Sequence, residues 1–266
     1  GQISLKLPPR RAHTIRLKLH PDEQALYDGI TTLARQMIEN QMTAAHRFGV
    51  LTLLREAGSS AAATISTLRS LAGIASLASY QASLLHLIEQ AETIHTTAKA
   101  DALLKLLTAQ IASGRDDKVI IFTQFRATQE MLAARLREEN RPCVVYHGGL
   151  SSAQKDAAIR EFQNKQPILL STEAAGEGRN LQFCRVMVNF DLPWNPMRIE
   201  QRIGRIHRVG QDRPVDIFNL AAEGTIEDFV LDILDHKLNM FELVIGEVDM
   251  ILGQMGDERD FEEIIL

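Results

Sequence analysis

The sequence predicts an α/β protein in which helices flank a parallel β-sheet. Between residues 96 and 225, short apolar runs of strand length alternate with longer amphipathic stretches of helix length. This alternation is typical of parallel strands joined by right-handed helical crossovers. Polar residues also follow several of the apolar runs directly, as expected at the carboxyl edge of an open sheet. The predicted strands are residues 119–122, 143–146, 167–171, 185–190 and 215–220.

The segments on either side of this region have different patterns. Residues 1–20 hold a Pro-Pro pair and the alternating run TIRLKL, which predict a linker with a short strand. Pro21, followed by two acidic residues, predicts the start of a helix, because proline fits the first turn and acids favour that end of the dipole. Helical periodicity then continues, with further helices predicted at 62–72 and 81–94. After residue 225, the sequence predicts a C-terminal helix and an acidic tail.

The composition is that of an ordinary globular protein. The 266 residues carry a net charge of −5, with 45% apolar and 24% charged residues. No apolar run reaches the length of a membrane span and no secretory signal is evident, so we expect a cytoplasmic protein without a membrane partner. The histidines lack metal-ligand spacing, and Cys143 and Cys184 lie in apolar runs, so we expect core thiols and no metal site.

One predicted helix carries the most distinctive chemistry. Asn195 can cap it, Pro196 fits its first turn, and Gly210 can end it. Its polar face holds Gln201, Arg205 and Arg208. The opposite face is apolar and holds Ile199, Ile203 and Ile206. A polar face of this kind can simply be solvated. Because the face carries cations without a carboxylate of its own, it also suits a phosphate that comes from elsewhere.

Polar residues follow three predicted strands at what should be one edge of the sheet. The first strand is followed by Gln124 and Arg126, the second by His147, Gly148 and Gly149, and the third ends at Ser171 and Thr172. Hydroxyl, amide and backbone N–H groups can hold phosphates without reading a base sequence. The sequence therefore predicts a ligand edge that suits a phosphate backbone.

Three motifs, in order, resemble a known family. GEGRNLQ, NFDLPWNP and EQRIGRIHRVGQ resemble motifs V and VI of the superfamily-2 nucleic-acid motors, in particular the Swi2/Snf2 branch and the bacterial RapA type. The resemblance implies a RecA-like C-terminal lobe at residues 96–225. It also implies an inter-lobe linker at 1–20, a helical protrusion at 21–95, and a brace helix with an acidic tail at 226–266.

The resemblance also implies roles for particular residues. Arg208 would be an arginine finger, Arg205 a second contact to the γ-phosphate, and Gln201 a positioning group. Glu177, Gly178 and Asn180 would lie near the nucleotide. The residues expected to contact DNA are Gln124, Arg126, His147, Gly148, Gly149, Ser171, Thr172, Trp194 and Asn195.

The sequence lacks two features that an independent ATPase of this kind requires. It contains no GxxxxGK[ST] loop and no DExH-type acid pair. By resemblance, an N-terminal lobe would bind most of the ATP and Mg²⁺, and this chain alone would be inactive. The expected partners are that lobe, double-stranded DNA, and RNA polymerase or another DNA-bound protein complex near a bacterial nucleoid.

Two other classes of function remain open on the sequence. The chain could be a non-catalytic RecA-like module that binds nucleic acid or protein, although such a module has no need for Arg205 and Arg208 facing a cleft. It could also be an α/β enzyme with a complete site of its own, such as a glycosyltransferase or hydrolase. No GxSxG motif, metal cluster or carboxylate pair supports that class. Turnover by this chain alone would distinguish it.

Overall fold

A computed structural model describes residues 8–40, 43–112, 117–172, 181–193 and 196–232. These residues form a 3-10 helix at Ala75–Tyr80 and a final helical segment at 226–232, in addition to strands and α-helices. In chain order these are β1 (Arg10–Leu17), α1 (Pro21–Glu39), α2 (Ala44–Ser59), α3 (Ala61–Ala72), α4 (Gln81–Thr93), α5 (Ala98–Ala112), β2 (Val119–Phe122), α6 (Arg126–Glu138), β3 (Cys143–Tyr146), α7 (Ser152–Asn164), β4 (Ile168–Ser171), β5 (Val186–Asn189), α8 (Pro196–Ile206) and β6 (Val215–Ala222).

The centre of the fold is a six-stranded sheet with the order β1-β6-β5-β2-β4-β3. All five strand pairs are parallel. The strands β2, β4 and β5 are buried along their whole length, which explains why they are continuous apolar runs rather than alternating ones. The predicted α/β class with a parallel sheet is confirmed. All carboxyl ends of the strands consequently meet at one edge.

Helices cover both faces of the sheet. On one face, apolar residues of α7 and α8 pack with alternate strand residues such as Ile120 and Met187. On the other face, residues of α5 and α6 pack with the intervening positions, including Ile121 and Val188. This alternation follows from the two-residue period of a strand. Cys184 is fully buried and Cys143 partly so.

Strand β1 extends the sheet further than the sequence predicted. The expected inter-lobe linker at residues 1–20 contains β1, which pairs with β6 over its full length, from Arg10 opposite Val215 to Leu17 opposite Ala222. The sheet therefore includes residues well before the predicted lobe boundary at 96. Because β1 lies at the edge and is mostly exposed, its alternating pattern resembles that of an isolated strand.

Helices α1 to α4 form a separate layer with a core of its own. Leu26, Ile30, Met37, Leu68 and Leu84 are among the residues buried there. These helices fall within the predicted helical segment 21–95. Within the described residues no single helix is both long and apolar enough to cross a membrane, and the one bent pair that meets those criteria, Ala61–Ala72 with Ala75–Gln110, turns through 118°.

A buried carboxyl group in α2 predicts a pH dependence of stability. Burial raises the pKa of Glu56 to about 7, although Thr67 donates a hydrogen bond to its Oε1. Its Oε2 is buried without a hydrogen-bond partner among the described residues. Since the folded-state pKa exceeds the unfolded value, Glu56 stabilises the fold at low pH, and that contribution is lost as the pH rises through about 7.

We therefore expect Glu56→Gln to leave stability unchanged near pH 4 and to raise it at pH 8. The expected gain is on the order of 2 kcal/mol, because the amide stays neutral at every pH. Urea unfolding of both proteins across this range measures the difference. The exposed Glu89→Gln on α4 is the control and should show no such trend. A pH-independent difference for Glu56→Gln would contradict the assignment.

Candidate nucleotide and nucleic-acid site

Backbone hydrogen bonds bring the strand-end loops together at the carboxyl edge of the sheet. Thr123 N–H donates to Ser171 O at 3.0 Å, and Thr172 N–H donates to Tyr146 O at 3.1 Å. Phe190 N–H donates to Phe122 O at 2.8 Å. The loops after β2, β3, β4 and β5 therefore lie side by side, as the sequence predicted for a ligand edge.

Three hydrogen bonds hold Gln124 in place. Its side-chain amide donates to Leu192 O at 2.8 Å, and its Oε1 accepts from Arg55 at 2.6 Å. Its backbone N–H donates to Asp191 at 2.9 Å. Because Arg55 belongs to α2, this predicted DNA-binding residue also connects the helical layer to the strand ends. The backbone and the neighbouring residues are thus fixed in position, while the side-chain amide is used internally.

A cationic cluster lies beside the end of β3. The pKa of His147 is lowered, first by partial burial and then by the positive charge of Arg126; Glu130 opposes this shift and Lys155 adds to it. Arg126 begins α6 and also bonds to Gln129 and Glu130. Lys155 lies in the first turn of α7, and no sequence pattern marks it. Arg126 and Lys155, which we call the positive rim, lie at the predicted ligand edge, and the ion pair of Arg126 with Glu130 offsets part of its charge.

The remaining predicted contacts at this edge differ in accessibility. Gly148 and Gly149 are exposed, and Gly149 N–H donates to His147 Nδ1 at 3.2 Å. Thr172 is partly exposed. The Ser171 side chain, in contrast, is fully buried, and its hydroxyl donates to Thr172 O at 2.5 Å. The hydroxyl of Ser171 is thus used within the protein, and the contact between Ser171 and DNA stays a prediction.

Helix α8 displays the predicted polar residues. Gln201 is exposed, Arg205 is partly exposed in the last turn, and Arg208 is exposed just beyond it. The helix ends at Ile206 rather than continuing to Gly210, so Arg208 lies in the following turn. Gly210 has a φ of 103°, a conformation that closes this turn. Within the described residues, none of the three polar side chains has a hydrogen-bond or ion-pair partner.

An arginine on the apolar face fixes α8 to the sheet. Arg202 is buried, donates to Asn189 Oδ1 at 2.8 Å and to Asp191 O at 3.2 Å, and lies over the ring of Phe122 with 4.9 Å to its centroid. This role of Arg202 was not predicted. Its signal was its position three residues after Ile199 and four before Ile206, since a cation within an apolar stripe requires buried partners.

Two further contacts hold the outer side and the end of α8. Arg10 of β1 makes two hydrogen bonds to Glu200, at 2.8 and 3.1 Å. His207 Nε2 lies 2.6 Å from Pro8 O. Glu200 therefore faces β1 rather than Arg205, which agrees with the expectation that this carboxylate is turned away from the polar face.

Gln211 holds the turn that carries Arg208. Its side-chain amide donates to Gln182 O, Cys184 O and Ile206 O at 2.9, 3.3 and 3.1 Å. The residue is buried, so this last residue of the RIHRVGQ motif has a positioning role. The predicted nucleotide residues Glu177, Gly178 and Asn180 and the predicted DNA contacts Trp194 and Asn195 lie outside the described residues.

Comparison with known proteins defines the class. Residues 98–210 match the model of the helicase conserved C-terminal domain. This range includes the loops after β2 to β5 and the whole of α8. The chain therefore contains the RecA-like C-terminal lobe of a helicase-like ATPase.

Individual proteins resemble the chain over much of its length. YqhH of Bacillus subtilis, an uncharacterized ATP-dependent helicase, is 40% identical over 257 residues, which cover 96% of this chain and 44% of YqhH. The RNA polymerase-associated protein RapA of Proteus mirabilis is 37% identical over 181 residues, which cover 62% of this chain and 19% of RapA. The SWI2/SNF2 ATPase core of Sulfolobus solfataricus, solved with dsDNA, has a TM-score of 0.60 at 22% identity, covering 96% of this chain and 50% of that chain. The chain is therefore similar in sequence to an ATP-dependent helicase and to RapA, and its fold matches that of SWI2/SNF2 ATPase cores.

Proposed function

We propose that this chain is the C-terminal half of an ATP-dependent motor that moves along double-stranded DNA. An N-terminal lobe would bind ATP and Mg²⁺, and the present lobe would close over the γ-phosphate and contact the DNA backbone. The chain spans less than half of YqhH, at 44% of its length, which is consistent with a further lobe in the complete protein. On its own, the chain would not hydrolyse ATP.

The observation that carries the proposal is the pair of guanidiniums at Arg205 and Arg208, which have no hydrogen-bond or ion-pair partner among the described residues. Both lie in or beside the end of α8, and no described acid neutralises them. The planar guanidinium of arginine can make two parallel hydrogen bonds to a phosphate, which carries several negative oxygens. Arg208 would act as the arginine finger, Arg205 as a second contact, and Gln201 as a positioning group.

The buried supports of α8 explain how such a finger could act. Arg202 fixes the helix to the strand ends, and Gln211 fixes the turn after it. A rigid support matters because stabilising a transition state requires donors that are already placed where charge develops. If the two lobes close on ATP, α8 would move with its sheet as one body, and reopening would reset the site.

The DNA partner is supported by the rim beside β3 and by the solved relative that binds dsDNA. Contacts through Arg126, Lys155 and backbone N–H groups would hold phosphates without reading base sequence. RapA is an RNA polymerase-associated protein, so RNA polymerase is the first protein partner to examine. We place the protein in the bacterial cytoplasm, at the nucleoid, where both partners occur.

The experiment that tests this function measures ATP hydrolysis for this chain alone and for the full-length protein, each with and without duplex DNA. The expected result is no turnover by the chain and DNA-stimulated turnover by the full-length protein. Turnover by the chain alone would indicate a complete site within it. A full-length protein that ignores DNA would favour a non-catalytic interaction module in this lobe.

The cationic rim gives a separate prediction for DNA binding. In the full-length protein, Arg126→Gln with Lys155→Gln should weaken duplex binding to a similar degree for different sequences. The slope of log affinity against log salt should also fall by about 1 for each phosphate that the variant no longer neutralises. The control is Arg141→Gln, which lies before β3 at the opposite edge of the sheet. An unchanged salt slope in the double variant would contradict the assignment of this rim to DNA.

A further inference from the structure

A buried charge cluster lies directly behind the ligand edge. Lys99 of α5 is 1% exposed, and its Nζ donates to Asp191 Oδ1 at 3.0 Å and to Glu227 Oε1 at 2.7 Å. The same Nζ donates to Gly58 O at 3.1 Å and lies 4.7 Å from the ring centroid of Phe190. We refer to Lys99, Asp191 and Glu227 as the buried triad.

The charges in the triad depend on one another. Burial opposes ionisation of Lys99, but Glu227 and Asp191 outweigh it, so the pKa of Lys99 is raised. Burial likewise disfavours an ionised Asp191, yet Lys99 and the hydrogen bond from Thr123 lower its pKa. Burial raises the pKa of Glu227 to about 7 against the attraction of Lys99. Removal of any one member therefore leaves a buried charge without its full set of partners.

Asp191 connects the triad to the candidate site. Its Oδ2 accepts from Thr123 at 2.5 Å and from Gln124 N–H at 2.9 Å, so it fixes the loop that leads to Arg126. Its backbone carbonyl accepts from Arg202, the buried anchor of α8. A displacement of Asp191 would consequently reach both the predicted DNA edge and the helix that carries Arg205.

The other members connect the triad to segments outside the sheet. Glu227 lies in the final segment 226–232, and its Oε2 accepts from Ala222 N–H at 3.3 Å. Gly58 belongs to α2, and a Cβ added there would lie only 3.3 Å from Glu227 Cγ. Tyr27 of α1 reaches the same place, since Ile226 N–H donates to its hydroxyl at 2.7 Å. The helical layer and the final segment thus meet the strand ends at Lys99.

We propose that the buried triad is the positioning centre that couples the DNA-facing loop after β2 to helix α8, so that DNA binding raises the rate of ATP hydrolysis. This inference rests on the proposed function. A purely structural ion cluster would stabilise the fold equally with and without DNA. A coupling centre must in addition transmit a change in the loop after β2 to helix α8. It can do so through Asp191, which both elements contact.

The test compares two variants in the full-length protein, Lys99→Met and Glu227→Gln, for the ratio of the maximal ATPase rate with duplex DNA to that without it. A matched control is Arg185→Met. Arg185 makes an ion pair with the buried Asp117 in the same sheet, with 2.5 Å from Nε to Oδ1, but at the amino ends of the strands. Melting temperatures are measured for all three, so that effects on stability and on coupling are read separately.

We expect the DNA stimulation ratio to fall by about tenfold in both triad variants, which is within the usual range of coupling between sites. Arg185→Met should lose stability but keep its ratio. If Lys99→Met does not fold, Glu227→Gln, which retains the side-chain shape, decides the question. An unchanged ratio in the folded triad variants, or an equal fall in the control, would overturn the inference. A wild-type protein that DNA does not stimulate would instead overturn the proposed function, and this inference with it.

Discussion

In the full-length protein, Arg208→Ala is expected to lower the maximal rate of DNA-stimulated ATP hydrolysis by roughly 10³-fold or more. The guanidinium would neutralise negative charge that develops on the transferred phosphoryl group, and alanine leaves that charge without a partner. Since Arg208 is exposed and has no described partner, the substitution should cost little stability. Loss of activity would therefore report chemistry and not unfolding.

The Arg208 prediction is checked by steady-state kinetics at saturating ATP and DNA. Arg205→Ala should also be strongly impaired, whereas Arg213→Ala, an exposed arginine three residues beyond the turn's glycine, should retain near-normal rates. DNA affinity should be unchanged in the Arg208 variant, because the residue is assigned to the nucleotide. A rate for Arg208→Ala within a few-fold of the wild-type rate would contradict the assignment of Arg208 as the arginine finger.

The second large effect concerns stability. Lys99→Met should destabilise this chain by about 3 to 5 kcal/mol, because it leaves Asp191 and Glu227 buried without their cation. Methionine has nearly the volume of the lysine stem, so a change in packing contributes little. At pH values below about 7, protonation of Glu227 relieves part of the repulsion, and the loss of stability should be smaller there.

Urea unfolding monitored by circular dichroism measures this loss of stability at pH 6 and pH 8. The control is Lys105→Met on the same helix, where the lysine is exposed and the expected change is within about 0.5 kcal/mol. Similar stabilities for Lys99→Met and Lys105→Met would contradict the prediction that the buried triad depends on the charge of Lys99 for its stability. A loss that is larger at pH 6 than at pH 8 would contradict the role given to Glu227.

Much of the sheet was predictable because its signal is local. Val119–Phe122 and Cys143–Tyr146 are apolar runs whose strand ends match the prediction. The first is buried along its whole length, because a parallel strand covered on both sides needs apolar residues on both faces. Strand β1 was predicted as a short strand next to the linker, but not as part of the sheet. Its partner β6 lies about 200 residues away, and no local pattern identifies a pairing over that distance.

The candidate site was predictable where residue type alone carries the chemistry. The spacing of Gln201, Arg205 and Arg208 predicted a polar face opposite a row of isoleucines, and in the structure all three are exposed or partly exposed, with Arg208 in the turn after α8. The burial of Ser171 was not foreseen, since a serine at the end of a strand can lie on either side of the sheet's edge. Only the pairing of β4 with its neighbours decides that question.

Two of the residues that were missed share one signal. Lys99 and Arg202 are each a cation within an apolar helical stripe, Lys99 four residues before Leu103 and Arg202 four before Ile206. A buried cation requires buried partners, but those partners cannot be assigned from one sequence. The two carboxylates that meet Lys99 lie 92 and 128 residues further along the chain.

The measurement that tests the central claim most directly is displacement of a third strand from a DNA triplex by the full-length protein. A motor that moves along duplex DNA releases the third strand only while ATP is hydrolysed, and it leaves the two duplex strands paired. We expect that result, and we expect Arg208→Ala to abolish it. Retention of the third strand while ATP is being hydrolysed, or separation of the duplex itself, would contradict translocation on double-stranded DNA.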